Sequence, residues 1–452
     1  MIKYRLKKQD RRESAQYHMK VLFDISVLGH GHVSEKSRTG VFRVIENVAG
    51  QLLQHPQCDT MFCSTADLNT VQYALSYLDS NQGFSGARFS RPPFLERRMV
   101  ISKAREHIFG LLHGNQPVSS LRRLQLRLQL KQLSVAERLY RLLHKEALMD
   151  PRHAGADIFH SPFNPLPGQR KPPSFKSMFL TCYDLIPVLF PHYFEQALMD
   201  QMTATYNSIT PESWVLCISR STRNDLLNHL GNKINPDRAI VTELAASDTF
   251  YQSTDKAYNR HIRQKHLVPD APYILSLCTL EPRKNIEQVV RAFVELNAQG
   301  NLRDLHLVLV GTKGWFFDKI FAEISNSAEL KSRIIVTGFV ADEDLAAIYS
   351  DALFFVYPSF YEGFGLPPLE AMKCGVPVIT SNTSSLPEVV GDAGILVSPS
   401  NLDELCEAML SIYKSPSLQQ QMQEKSLKRA SLFSWERCGN ETVHAYKASL
   451  AV

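Results

Sequence analysis

The sequence predicts an α/β protein made of two parallel, doubly wound sheets facing each other across a cleft. Three observations carry that expectation. Apolar, strand-like runs alternate with helical stretches along most of the chain, which is the pattern of βα units in a parallel sheet. A polar, proline-bearing stretch, RQKHLVPDAP (263–272), interrupts the alternation before it restarts. The 452 residues also exceed the size at which one hydrophobic core keeps growing, so two domains are expected. The expected boundaries are 1–265 for an N-terminal domain and 266–434 for a C-terminal one. A last helix over about 435–452 is expected to pack back on the first domain.

The elements follow in order. KVLFDIS (20–26) is a buried-strand run, GHGHVSEKSRTG (29–40) reads as a glycine-rich loop, and VFRVIENVAGQLL (41–53) has helical spacing. DIFHS (157–161), SMFLTCYD (177–184), SWVLCIS (213–219) and AIVTEL (239–244) are further strands, with RSTRNDLLNHL (220–230) a helix between them. Beyond the interruption come YILSLCTL (273–280), HLVLVG (306–311), RIIVTGF (333–339), ALFFVYPS (352–359), VPVITSN (376–382) and GILVSP (394–399). Helices are expected at 285–298, 316–330, 342–350 and 367–374.

Composition narrows the classes. At 44% apolar and 21% charged the chain is an ordinary globular one. No apolar run reaches the roughly 18 residues of a membrane helix, and no signal-like stretch opens the chain. Eight cysteines lie without a CxxC pair or histidines at zinc spacing. Buried free thiols in a reducing cytosol are the expectation, with no metal site.

Charge is uneven. Residues 1–18 hold six Lys/Arg against two acids and read as a solvated extension; residues 88–145 hold thirteen against three. The net charge is +5, so everything outside these stretches is net negative.

One short stretch concentrates chemistry. SFYEGFGLPPLEAM (359–372) sets Glu362 and Glu370 eight positions apart, with Gly363, Gly365, Pro367 and Pro368 between them. It follows a strand, and a helix is expected to open at Pro367, where a missing N–H costs nothing. Pro367 should keep Leu366 extended, while the glycines permit positive φ and close backbone approach. Backbone N–H groups converging at a helix N-terminus favour an anion such as phosphate. Glu370, a turn into the helix, suits a vicinal diol such as a ribose, and Glu362 on the loop suits the reacting end of the same ligand.

EGFGLPPLE closely resembles the E-x7-E signature of the family 4 retaining glycosyltransferases, whose fold is the two-lobed GT-B arrangement of Rossmann-like domains. LEPRKN (280–285), VGTKGW (310–315), TGFV (337–340) and CGVPVITSNTSSLPEVVGDAGILV (374–397) resemble later landmarks of that family. RTGVFRV (38–44), HSP (160–162), YDLIPVLFP (183–191) and SRSTRNDL (219–226) resemble its first-domain loops. The resemblance implies that Arg283 and Lys284 hold the diphosphate of a nucleotide sugar and stabilise its departure. It implies that Glu370 binds the ribose, that Glu362 with Gly363, Phe364, Gly365 and Leu366 surrounds sugar and phosphate, and that Gly338, Phe339 and Val340 border the base. Gly40 would pass near the sugar-phosphate. Arg43, Tyr183 and Asp184 would lie on the acceptor side, Tyr183 standing where many relatives have histidine. A solvated helix-terminal arginine is the other reading of Arg43, and His30 and His32 are either acceptor contacts or solvated loop histidines.

The activity so implied is transfer, with retention, of a hexose of mannose or rhamnose type from a nucleotide-diphosphate sugar to a cell-surface polysaccharide or lipid-linked glycan. A GDP-sugar is the favoured donor, and no cofactor, metal or nucleic acid is expected. Alternatives are a soluble sugar or protein acceptor, or a noncatalytic GT-B protein that binds a glycan or partner.

Residues 121–145 fall outside this account. Leu121, Leu124, Leu128, Val135, Leu139 and Leu142 share one helical face with Arg and Lys around it. Either the leucines pack this helix onto the first domain, or it lies against an anionic membrane. The second reading gives a cytoplasmic protein, peripheral on the inner face of the plasma membrane.

Overall fold

The computed structural model describes residues 18–34, 40–91, 100–101, 104–105, 107–108, 111, 119–143, 155–168, 175–277, 282–302, 304–311, 330 and 332–451. All but the last residue of the helix expected over 316–330, most of VGTKGW, Cys278 and the charged residues 1–17 lie outside them.

Thirteen strands among the described residues form two all-parallel sheets. The first comprises β1 (Met19–Asp24), β2 (Cys58–Cys63), β3 (Arg88–Phe89), β4 (Ile158–Ser161), β5 (Ser177–Cys182), β6 (Trp214–Cys217) and β7 (Ala239–Val241). Its order is β3-β2-β1-β4-β5-β6-β7. Met19 pairs with Cys58 and Phe23 with His160, so β1 is flanked on both sides. That explains its near-continuous apolar sequence, since a central parallel strand is covered on both faces.

The second sheet comprises β8 (Tyr273–Leu277), β9 (His306–Val310), β10 (Ile334–Gly338), β11 (Phe354–Tyr357), β12 (Val378–Ser381) and β13 (Ile395–Val397), in the order β10-β9-β8-β11-β12-β13. The reversal of direction between β8 and β11 is a topological switch point, where open α/β sheets hold ligands beyond their carboxyl ends. Both sheets are Rossmann-like, as the alternation of strands and helices predicts.

Packing density parts the chain into two units, Met1–Leu180 with Val443–Val452, and Thr181–Thr442. In the first unit, α1 (Ser26–Val33), α2 (Gly40–Gln54) and α3 (Leu68–Ser80) accompany the strands. The loop expected over 29–40 is corrected here: residues 29–33 are helical. Glycines ordinarily argue against helix, but a Cβ on Gly29 would lie 2.6 Å from the Ala74 backbone nitrogen. Tight packing of α1 on α3 requires the glycine and holds the helix. Within this unit His160 is fully buried, its Nδ1 2.5 Å from the hydroxyl of Tyr446 on the last helix. Burial pushes its imidazole down to about 3, which identifies a neutral core histidine.

The helix α4 (Ser120–Leu143) corrects one reading of the leucine stripe. Leu121, Leu124, Leu128, Val135 and Leu139 are 55% to 72% exposed, while Leu126 is buried and Leu130 and Leu133 partly so. The helix packs through the opposite face, and the stripe points outward. Leu142 lies where side chains are not described.

In the second unit, α5 (Ile186–Leu189), α6 (Gln196–Asn207), α7 (Arg220–Leu230) and α8 (Lys256–Lys265) precede the second sheet. α8 starts at its cap, Asp255, which accepts from the N–H groups of Ala257 and Tyr258, and runs three residues into the polar stretch that begins at 263. Then come α9 (Ile286–Ala298), α10 (Asp342–Ser350), α11 (Leu366–Lys373), α12 (Leu386–Val390), α13 (Leu402–Lys414), α14 (Pro416–Ala430) and the start of α15 (Trp435–Ala451), whose residues from Val443 onward belong to the first unit. Val289, Val290, Phe293 and Leu296 of α9 pack with Leu405, Met409 and Ile412 of α13 against Ile274, Leu307 and Phe354 of the sheet. Burying that apolar layer fixes the sheet's carboxyl edge.

Candidate active site

β8 and β11 are neighbours, and the turns leaving their carboxyl ends are stitched together. After β8, a single 3-10 turn over Pro282–Lys284 presents Arg283 and Lys284. Asn285 then adopts a left-handed φ of 57° and donates to the carbonyls of Pro358 and Pro399 at 3.0 and 2.7 Å. Arg283 Nη1 donates to the Tyr361 carbonyl at 2.6 Å, and the Phe360 N–H donates to the Arg283 carbonyl at 3.0 Å.

These turns converge on Glu362, which is 8% exposed. Its Oε1 accepts from Lys284 Nζ at 2.7 Å, Ser359 Oγ at 2.7 Å and Tyr357 OH at 2.8 Å, with Arg283 Nη1 at 3.1 Å. Burial alone would raise the carboxyl, but Lys284 and Arg283 hold it down at about 2. Arg283 and Lys284 are nearly as enclosed. Two buried cations thus stand against the Glu362 carboxylate on the sheet's carboxyl edge, with Asp184 within electrostatic reach.

The glycines serve two purposes. A Cβ on Gly363 would meet the Tyr183 carbonyl and lie 2.8 Å from Asp184 Cβ, so this glycine permits close approach. Ser219 Oγ and Thr222 Oγ1 donate to its carbonyl at 2.7 and 3.0 Å. Gly365 has φ of 118° and caps α11. Leu366 is already the first residue of α11 rather than extended, so the expected helix start moves by one; Pro367 sits in the first turn, where its ring is tolerated. The Phe364 ring is buried against Phe433, leaving only its backbone toward the turn. Glu370 is buried on α11, its Oε2 3.4 Å from Tyr349 OH.

Asp184 is partly exposed, accepts from the Ile186 N–H at 2.9 Å, and is raised above the usual carboxylate range by burial, with Glu362 adding to the effect and Arg283 and Lys284 opposing it. Tyr183 is different: its side chain is buried, and burial among Cys438 and Cys182 pushes its phenol well up. Its carbonyl, not its hydroxyl, meets the glycine turn. At the end of β10, Gly338 has φ of 76°, Phe339 is 75% exposed and Val340 is buried.

In the first unit, Gly40 opens α2, and the Arg43 carbonyl accepts from Asn47 Nδ2 at 2.8 Å. His30 and His32 belong to α1 and lie 3.2 Å from Thr70 Oγ1 and Ser76 Oγ on α3.

Sequence reasoning missed four groups. Tyr357 and Ser359 hold Glu362, and Ser219 and Thr222 hold Gly363. Ser219 had a local signal, since it caps α7. Tyr357 had none, because a tyrosine ending an apolar strand reads as core.

Residues 259–429 match the family described as "Glycosyl transferases group 1". The O-antigen chain mannosyltransferase B of Escherichia coli is 35% identical over 315 residues, covering 68% of this chain and 79% of that protein. The chain belongs to the group 1 glycosyltransferases. Among its other relatives, the serotype-specific mannosyltransferase WbdA of Escherichia coli is 28% identical over 272 residues, which is 59% of this chain and 32% of that much longer protein. Sucrose-phosphate synthase from Thermosynechococcus elongatus shares the fold of this glycosyltransferase, with a TM-score of 0.60 at 18% identity over 96% of this chain and all of that one.

Proposed function

We propose that this glycosyltransferase moves a hexose, mannose in first place and rhamnose in second, from a GDP-sugar to a growing cell-surface polysaccharide or lipid-linked glycan, with retention at the anomeric carbon. The observation that carries the reading is the buried Arg283–Lys284–Glu362 cluster on the carboxyl edge of the second sheet. A departing nucleoside diphosphate gains negative charge, and fixed cations aimed at it stabilise the transition state. Arg283 and Lys284 supply that charge without a metal ion. Glu370 takes the ribose hydroxyls, Phe339 with Gly338 and Val340 borders the base, and Glu362 faces the sugar. On the retaining course the acceptor hydroxyl attacks C1 on the leaving-group face and its proton passes to the departing phosphate oxygen. Gly40 passes near the sugar-phosphate, and Arg43, Tyr183 and Asp184 are assigned to the acceptor side. The mannose preference draws on the two mannosyltransferase relatives.

The outward leucine stripe of α4, bordered by the exposed Arg127, Lys131 and Arg138, suits an anionic membrane surface and with it a lipid-linked acceptor at the cytoplasmic face. Among the described residues no helix is long and apolar enough to cross a membrane. Proton NMR of the product formed from GDP-mannose and membrane-derived glycan acceptors tests the reading. An α-linked mannoside from the α-configured donor supports it, whereas a β-linked product, or turnover only with other nucleotide sugars, overturns it.

A further inference from the structure

The last residue of β11 is a tyrosine whose hydroxyl lies inside the cluster. Tyr357 is fully buried, its ring stacked on Phe355, and Lys284 Nζ sits 5.3 Å from the ring centre. Lys284 Nζ donates to the Tyr357 oxygen at 2.6 Å, and Tyr357 OH is 2.8 Å from Glu362 Oε1. An ammonium group can only donate. It therefore fills the acceptor side of the phenol and directs the phenol proton to Glu362.

Glu362 Oε1 meets four donors between 2.7 and 3.1 Å, about twice what one carboxylate oxygen bonds well. Two of them, Lys284 and Arg283, are the cations assigned to the donor diphosphate. Once a diphosphate draws them, only neutral hydroxyls remain on the carboxylate. The single proton of Ser359 is within reach of the Arg283 and Tyr361 carbonyls as well, at 3.1 and 3.3 Å. The phenol proton, by contrast, is directed at Glu362 Oε1 at 2.8 Å.

We infer that Tyr357 is a positioning residue, whose hydroxyl keeps the Glu362 carboxylate ionised and in place while Lys284 and Arg283 hold the donor diphosphate. The inference rests on the reading of Arg283 and Lys284 as the diphosphate site. The charged and titratable groups facing Glu362 are Lys284 and Arg283 from the turn after β8, Asp184 from the turn after β5 and Tyr357 itself. With the cations drawn away, burial pushes Glu362 toward protonation, and the phenol opposes it.

The experiment compares native protein with Tyr357→Phe, following GDP release from GDP-mannose with water as acceptor across the pH range, alongside calorimetry with GDP. The expected result is GDP affinity within about threefold of native at neutral pH. The acid limb of turnover should move up by about one pH unit, a further loss of about tenfold in mildly acidic buffer. Tyr273→Phe, which removes an equally buried hydroxyl bonded to the Ile348 carbonyl, should leave the limb where it is. An unmoved limb in Tyr357→Phe, or an equal loss at every pH, overturns the inference. If Tyr357→Phe does not fold, Ser359→Ala serves: a shift under about half a unit keeps the hold with Tyr357, and a full unit assigns it to Ser359 and overturns the inference. Native protein that binds no GDP sinks the diphosphate-site reading and the inference together. GDP binding that Lys284→Ala weakens, with an unmoved limb in Tyr357→Phe, sinks the inference alone.

Discussion

Lys284 Nζ and Glu362 Oε1 lie 2.7 Å apart, both side chains nearly withdrawn from solvent, although 78 residues separate them in the chain. A surface pair of this kind would contribute little. Enclosed, it sets the charge state of the site before any substrate arrives.

GDP binding should therefore depend on Lys284 and not on a divalent ion. Lys284→Ala is expected to weaken GDP binding by about 1.5–3 kcal/mol, the range for losing a charge-assisted hydrogen bond. Calorimetry with and without EDTA checks both halves; unchanged affinity in the variant, or absolute dependence on Mg²⁺, contradicts the assignment.

Acid should weaken the ligand-free protein through Glu362. Its folded-state value, about 2, lies below its ordinary value of 4.5. The ionised carboxylate thus contributes stability that is present above about pH 4.5 and lost as pH falls toward about 2. In Glu362→Gln that component is absent. Thermal midpoints of the two proteins should converge across this window, and parallel curves would show that Glu362 is not the titrating group.

The two glutamates of the turn should fail differently. Glu370→Ala is expected chiefly to raise the donor KM, because ribose contacts are alike in ground and transition states. Glu362→Gln should lower kcat by more than it weakens binding. Loss through the same parameter in both variants would erase the division of labour.

Gly363→Ala should be far more damaging than an ordinary surface glycine substitution. The added methyl would press on the Tyr183 carbonyl and Asp184 Cβ, and overpacking of that sort costs about 1–3 kcal/mol. A thermal midpoint and GDP affinity equal to native would show that the two turns can part freely.

The outward face of α4 should bring the protein to anionic vesicles. Each Lys or Arg near such a leaflet is worth about 1 kcal/mol, and the attraction should fall with added salt as screening shortens its reach to about 8 Å at physiological ionic strength. Co-sedimentation of native protein, and its loss when Arg127, Lys131 and Arg138 are all changed to Glu, is the expected outcome. Native protein remaining in the supernatant at low salt dismisses the membrane surface.

Much of this architecture was legible residue by residue. KVLFDIS and ALFFVYPS announce central parallel strands because burial on both faces leaves no polar alternation. EGFGLPP announces a strand-to-helix turn because glycine and proline act on their own φ angles. The misreadings have local causes too. GHGHV contains two glycines, yet α1 is helical because Gly29 lets it approach α3. CDTMFC carries an aspartate and a threonine, so β2 has no apolar run to betray it.

By itself the sequence determined the alternation of strands and helices, the glycine–proline turn with its two glutamates, and the Arg283–Lys284 pair after a buried strand. All of these are encoded within a few neighbouring residues. The tertiary structure alone decided that the leucines of α4 face outward, that the Tyr183 phenol is buried while its carbonyl meets Gly363, and that one oxygen of Glu362 gathers Lys284, Arg283, Ser359 and Tyr357. Strand order makes the difference: β11 lies beside β8 although β9 and β10 come between them in the chain, and periodicity along a chain carries no record of which strands become neighbours.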